Sequence, residues 1–253
     1  MTRAIFALAL VLGAASACDG EAAAAAAEPT WTAERVIARH LAALGGVERL
    51  RASRSLVIRG EYQEGNAVDE FVIYRARPAR LRKEGTRAGE AFVKLVDGER
   101  AWFAAGDRGF ARLSGDTAAA LRVQAEFDDP LIDAAARGHR VELLGAEVVA
   151  GRPAHHLKLT LADGAVEHRW IDADSFLDVR RADVFVDRFG EPRTRVVDFS
   201  DWREVDGIWF NFASEGEQDG RKIKVTIAAI EVDGPIDPAT FVAPEAGAEA
   251  LAR

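Results

Sequence analysis

The chain of 253 residues contains a single cysteine, Cys18. That count excludes an intramolecular disulfide and leaves no thiol for nucleophilic or metal chemistry in the body of the chain. After the first eighteen residues, no apolar run approaches the ~20 residues a helix needs to cross a bilayer. No basic run with interleaved aromatics occurs either. Charge is acidic on balance, 33 Lys+Arg against 41 Asp+Glu for a formal −8, so nucleic acid is not an expected partner. Motifs for covalent, phosphate and zinc chemistry are also missing: there is no G-x-S-x-G, no P-loop and no H-E-x-x-H. The five histidines, His40, His139, His155, His156 and His168, do not fall at metal-ligand spacing. Asp128-Asp129, Asp198, Asp201 and Asp206 read as solvated turn residues. The sequence therefore predicts no catalytic site, no metal and no cofactor.

What the chain does have begins at its start. Met1-Thr2-Arg3, the apolar residues 4–15 and the small residues that follow form the three regions of a secretory signal peptide, expected over 1–17. Ala15-Ser16-Ala17-Cys18 has two readings. As a lipobox it makes Cys18 the lipid-anchor residue at the new N-terminus, although Ala15 stands where leucine is usual. As an A-x-A cleavage site it releases a soluble protein with a stray thiol, a liability in an oxidising compartment. The lipobox reading predicts a periplasmic lipoprotein held to a membrane through Cys18. Cleavage removes only Arg3 among the charged residues, giving −9. Residues 18–30, with alanine at 22–27 and then Glu28-Pro29-Thr30, read as a tether.

The spacing of Val36, Ile37, His40, Leu41 and Leu44 predicts a helix over 33–44. Thr32 is its N-cap, Trp31 a staple onto Val36, and Gly45-Gly46 its stop, with a short turn over 47–51. His40 reads as a packed helix residue. From Ser53 the period becomes two: Leu56, Ile58 and Tyr62 alternate with Val57, Arg59 and Glu61. Strand-like segments follow at 68–77, 80–84, 90–96 and 100–105. Asp-Gly at 97–98, 163–164, 206–207 and 219–220 predicts tight hairpin turns and an antiparallel meander. Residues 117–138 read as a helical insertion broken at Pro130, either a lid on the sheet or a plain connection.

A two-residue turn at Asp163-Gly164 would set Val166, His168 and Trp170 opposite Leu161, Leu159 and Leu157 on one apolar face. His156, Lys158, Thr160, Glu167 and Arg169 would take the other face, separating His156 from His168. Large apolar residues on the strands are compatible with a filled core or with an apolar cavity, and pattern alone does not separate the two.

Three segments carry a family resemblance. They are Ala43-Leu44-Gly45-Gly46-Val47-Glu48 after the first helix, Trp170-Ile171-Asp172-Ala173-Asp174-Ser175-Phe176-Leu177-Asp178-Val179-Arg180, and the hairpin Val197-Asp198-Phe199-Ser200-Asp201-Trp202-Arg203-Glu204-Val205-Asp206-Gly207-Ile208-Trp209-Phe210. With Pro235-Ile236-Asp237-Pro238-Ala239-Thr240-Phe241 as a closing segment, the chain resembles the LolA/LolB-like proteins of outer-membrane lipoprotein sorting. The resemblance implies one mainly β (α+β) domain over 31–244, with a C-terminal tail at 245–253. Its fold would be a half-open antiparallel β-barrel of hairpins, with the N-terminal helix and a helical lid-like insertion. It further implies that a lipid or acylated lipoprotein binds in an apolar cavity, without catalysis, in a monomer. The residues expected to share that interior beneath the first helix are Leu56, Ile58, Tyr62, Phe92, Trp102, Leu159, Trp170 and Phe210. An envelope sensor or protein-interaction module on the same fold is the alternative.

Overall fold

Thr32 is extended (φ −124°, ψ 162°) and its hydroxyl accepts the Arg35 N–H at 3.3 Å, opening helix α1, Ala33–Ala43. A short second helix, α2, spans Val47–Ala52. The computed structural model describes residues 31–87, 89–186, 192–218 and 220–243. The expected signal peptide, tether, Cys18 and tail all lie outside these residues.

Alternation of period two then yields thirteen strands. They are β1 Ser55–Glu64, β2 Ala67–Ala76, β3 Arg80–Arg87, β4 Glu90–Asp97, β5 Arg100–Ala105, β6 Ala111–Arg112, β7 Arg140–Val149, β8 Arg152–Thr160, β9 Val166–Asp172, β10 Asp178–Val186, β11 Pro192–Val205, β12 Ile208–Gln218 and β13 Arg221–Val232. Helix α3, Gly115–Ala125, lies between β6 and β7, and a 3-10 turn, Pro238–Phe241, follows β13.

All thirteen strands belong to one antiparallel sheet in the order β6-β5-β4-β3-β2-β1-β13-β12-β11-β10-β9-β8-β7. Two meanders, β1–β6 and β7–β13, are joined where β1 pairs with β13, Leu56 opposite Val232 through Glu64 opposite Ile223. The end strands β6 and β7 do not pair, so the sheet stays open. The expected half-open, hairpin-built sheet is what forms.

One face of the sheet, here the inner face, receives the helices. Val36 and Ala33 of α1 pack on Leu157 and Ile171, and Leu41 meets Leu131, Ile132 and Leu159. Far along the sheet, Ala118, Leu121 and Ala125 of α3 cover Leu81, Val96 and Ala101. The second half of the predicted insertion is not a helix. Residues 130–138 form a run of turns, because Asp133 takes the left-handed region (φ 53°) and breaks the helical path.

The hairpin between β8 and β9 also departs from expectation. Its loop holds three residues, with Leu161 N–H bonded to the Ala165 carbonyl at 2.8 Å and the Asp163 carboxylate accepting the Ala165 N–H at 3.0 Å. Gly164 adopts φ 89°, the usual close of a three-residue loop. The extra residue shifts every pair by one: Leu157 faces Arg169, Leu159 faces Glu167, and His156 faces Trp170. The leucines remain inside, but Trp170 and His168 turn to the outer face. At Asp206-Gly207 the loop does have two residues, both at positive φ, with Val205 opposite Ile208. Asp97 instead pairs with Arg100, so its turn is Gly98-Glu99. The fourth Asp-Gly includes residue 219, outside the described residues.

The register shift places Arg169 on the inner face, where it is almost fully buried. Its guanidinium reaches Asp129 at 2.8 Å and Glu167 at 2.5 Å. Beside it, Arg181 holds the fully buried Asp178 at 2.5 Å, and the His40 Nε2 lies 3.9 Å from that carboxylate. His40, also fully buried, bonds the Phe176 carbonyl through Nδ1 at 2.8 Å. Burial alone would push Asp178 and Asp129 up, yet the neighbouring cations outweigh it and hold both carboxyls below the usual range. The same balance raises Arg169: burial opposes its charge, and Asp129, Glu167 and Asp178 more than compensate.

Two of the segments that carried the resemblance meet in space. The Trp209 N–H donates to the Leu44 carbonyl at 3.0 Å, and Arg49 bonds the Asp206 carbonyl at 2.9 Å and its carboxylate at 2.7 Å. Gly45 sits at φ 120° with Gly207 against it, and an added Cβ would overlap the Gly207 carbonyl oxygen. Gly45→Ala should therefore combine backbone strain with a clash and cost about 2–4 kcal/mol. Urea unfolding would check this; a midpoint unchanged from wild type would show that the hairpin tip does not press on this corner.

Candidate functional site

Between the part of the inner face under α1 and the part under α3, the sheet is not covered to the same depth. There a cavity of about 220 Å³ opens, lined by Ile58, Tyr62, Phe71, Ile73, Lys83, Phe210, Asn211, Val225, Ile227 and Ile230. Register explains the lining. Ile58 pairs with Ile73 on one side and Ile230 on the other, Gly60 pairs with Phe71, and Tyr62 pairs with Val225. These residues share one face of β1, β2 and β13. A bulge between Arg59 and Gly60 lets both Ile227 and Ile230 point inward despite their odd spacing. Gly60 has no room for a side chain, since a Cβ there would overlap the Thr226 carbonyl and meet the Phe71 ring.

A packed floor adjoins the trough. Leu56, Phe212 and Ile230 are buried together, with Ile58, Phe210, Ile227 and Phe127 against them. Arg77 closes this end, its guanidinium 4.6 Å from the Phe127 ring and paired with Asp128 at 2.5 Å. Arg75 lies over the same ring at 5.5 Å and donates to the Glu126 carbonyl.

Of the residues expected to share one interior, Ile58, Tyr62 and Phe210 line this cavity. Leu56 belongs to its floor. Leu159 is on the same face of the sheet but fully packed beneath α1 with Leu41, Leu131 and Ile132, so it borders filled core. Phe92 pairs with Gly85, on the same face as Lys83, but is not part of the lining. Trp102 pairs with Leu95 and Arg112 on the outer face, with Arg100 5.5 Å from its ring. Trp170 is likewise on the outer face, stacked on His156 at 4.2 Å. A single interior spanning all eight positions under α1 is therefore not formed. Helix α1 covers β7–β9 and leaves the trough to one side. Phe71, Ile73, Val225, Ile227 and Ile230 were missed, although Val225 and Ile227 follow a period-two pattern within β13.

The separation of His156 from His168 is also reversed. His156 Nε2 and His168 Nδ1 are 2.8 Å apart, and His156 Nδ1 meets Glu147 at 2.6 Å. Glu147 further accepts the Trp170 indole N–H at 2.9 Å. This chain of polar groups lies on the outer face of β7–β9. Burial, then the neighbouring His156 and Lys158, lower the His168 pKa. Among the described residues no group of three or more His, Cys, Asp or Glu is placed to hold a metal ion.

Lys83 is the one charged group in the trough lining. Its ammonium lies 5.0 Å from the Phe71 ring centroid. Burial, then the positive charges of Lys94 and Arg87, lower its pKa to about 8. The charged form is thus penalised in the folded state. That penalty is full below about pH 8 and disappears as pH approaches the ~10.4 of an unfolded lysine. The wild type should accordingly gain stability relative to Lys83→Met between pH 7 and pH 9.5. Parallel melting-temperature profiles for the two proteins would overturn this.

No protein-family model and no curated protein matches the sequence. Solved structures do match the fold. A DUF1329 family protein from Desulfovibrio piger superposes with TM-score 0.58 at 15% identity, covering 84% of this chain and 98% of that one. A LolA superfamily protein from Nitrosomonas europaea gives 0.54 at 12%, covering 83% and 98%. A putative outer membrane lipoprotein-sorting protein domain from Vibrio parahaemolyticus gives 0.50 at 12%, covering 83% and 97%. The chain has a LolA-like fold: one open antiparallel sheet with helices on its inner face.

Proposed function

We propose that this protein belongs to the bacterial cell envelope and takes an acyl chain of a lipid or lipoprotein into the β1–β2–β13 trough, for transport or reception and without covalent chemistry. The observation that carries the reading is an unfilled, mainly aliphatic and aromatic trough between the parts of the sheet that α1 and α3 cover. At ~220 Å³ it exceeds the ~150 Å³ of an apolar cavity that accommodates benzene and falls short of the ~300–1,000 Å³ of drug-sized sites. A segment of hydrocarbon fits, and the rest of the ligand remains outside. Each methylene buried contributes about 0.8 kcal/mol, so binding needs no elaborate polar recognition. The likeness to a lipoprotein-sorting domain is consistent with this reading.

The test is displacement of a fluorescent fatty acid, with circular dichroism as the control for folding. Ile227→Asp, inside the trough, should weaken binding at least about tenfold, the cost of placing a charge against the hydrocarbon. Trp170→Glu, on the outer face, should leave it unchanged. Undiminished binding by a folded Ile227→Asp protein would argue against the trough.

Localisation rests on Cys18, outside the described residues. Metabolic labelling with a fatty-acid analogue should mark the wild type and not Cys18→Ala. Labelling that persists in the alanine variant would sink the lipoprotein reading and leave free secretion.

A second reading, an interaction module, draws on the edge strand β7. Leu144 and Val148 there are 52% and 72% exposed, and an unpaired edge can accept a strand from a partner.

A further inference from the structure

At the β3 side of the trough, the sheet sets a second lysine beside Lys83. Lys83 on β3 pairs directly with Lys94 on β4, and Lys83 itself pairs with Ile73 of the lining. Both side chains are half-buried. Neither ammonium has an ion-pair or hydrogen-bond partner among the described residues; Lys83 has only the Phe71 ring. Carboxylates on this face of β1–β4 are Glu64, Asp69 and Glu90, and each is already engaged. Glu64 pairs with Arg221 at 2.7 Å and lies 3.8 Å from Arg87, Asp69 accepts the Thr86 hydroxyl at 3.0 Å, and Glu90 pairs with Arg108 at 3.1 Å. Elsewhere the sheet neutralises its cations pair by pair, as in Arg180–Asp198 and Arg195–Asp183. Two adjacent, half-buried and unneutralised cations beside hydrocarbon raise the free energy of the empty protein, and an anion arriving there relieves it.

We propose that Lys83 and Lys94 are the anion subsite of the trough, receiving the carboxylate or phosphate of an amphipathic ligand whose acyl chain lies along Ile58, Phe71, Ile73 and Ile227. The assignment rests on the acyl-chain reading of the trough and narrows it to anionic amphiphiles. Ammonium donors suit this role: each offers a compact charge with rotatable N–H groups to an oxyanion. Depression of the Lys83 pKa by burial and by Lys94 has the same origin as the anion affinity, since both express an uncompensated positive potential.

The experiment measures binding of three amphiphiles with the same chain, dodecanoate, dodecyl phosphate and dodecyl maltoside, by isothermal titration calorimetry below their micellar concentrations. Wild type should bind the two anions about tenfold or more tightly than the neutral maltoside, the scale of a charge-assisted hydrogen bond. In Lys83→Met/Lys94→Met that preference should vanish, the anions binding no more tightly than the maltoside does to the same variant, and Lys83→Arg/Lys94→Arg should restore it. Removing two poorly solvated charges does not threaten folding, so the methionine variant remains interpretable. Which anion binds more tightly identifies a carboxylate or a phosphate head. Equal wild-type affinity for charged and neutral amphiphiles, or a preference surviving in the methionine variant, would overturn the subsite and leave the acyl-chain reading standing. Displacement of the amphiphiles by inorganic phosphate would reassign the lysines to a free anion. If none of the three amphiphiles binds, the subsite and the acyl-chain reading fall together.

Discussion

Arg169 is the charge around which the β7–β10 side of the molecule is arranged. An almost fully buried guanidinium is tolerable only when carboxylates surround it, and Asp129 and Glu167 do so at hydrogen-bonding distance. Asp129 arrives from the turn after α3, so that turn cannot drift without exposing an unpaired charge in an apolar setting. Arg181 and Asp178 extend the network, and His40 brings α1 into it. Hydrophobic contact presses α1 onto Leu157 and Ile171, but such contact has little directional preference. The ionic cluster supplies direction, fixing which turn of α1 lies over which strand.

That fixed half defines the trough by contrast. Packed helices fill the inner face at both flanks, with α1 and the turns over β7–β9 and α3 over β3–β5. The intervening strands carry isoleucine, valine and phenylalanine inward with no helix of the described residues spanning them. The cavity therefore comes from two separate lids that stop short of one another, more than from closure of a barrel. Its lysine side belongs to the β1–β6 meander, and its aliphatic side is completed by β12 and β13.

The overall plan was legible in the sequence because its signals are local. Thr32 and Gly45-Gly46 bound α1, and the alternation of Leu56, Ile58 and Tyr62 marks a half-buried strand. The face of an individual side chain was less accessible. Asp163-Gly164 fits a two-residue and a three-residue loop equally well, and the choice reverses Trp170, His168 and Arg169 together. Hence the buried guanidinium looked like surface and Trp170 like cavity lining. Lys83 was hidden for another reason: a lysine in a strand reads as solvated until its register sets it beside Ile73 and Lys94. The insertion was half legible, since helix propensity over 131–137 yielded to the left-handed turn at Asp133.

The pairing of β1 with β13 bears on when the trough comes into being. Ser55–Glu64 and Arg221–Val232 are among the most distant strands in the chain, and each lies central in the sheet. Contacts of such sequence separation carry a large loop-closure entropy and form late. Ile58, Phe71 and Ile73 emerge early from a growing chain, yet they face no opposite wall until Val225, Ile227 and Ile230 follow. A half-made molecule thus has helices and hairpins but no trough: the two-walled apolar face exists only in chains whose first and last strands have met.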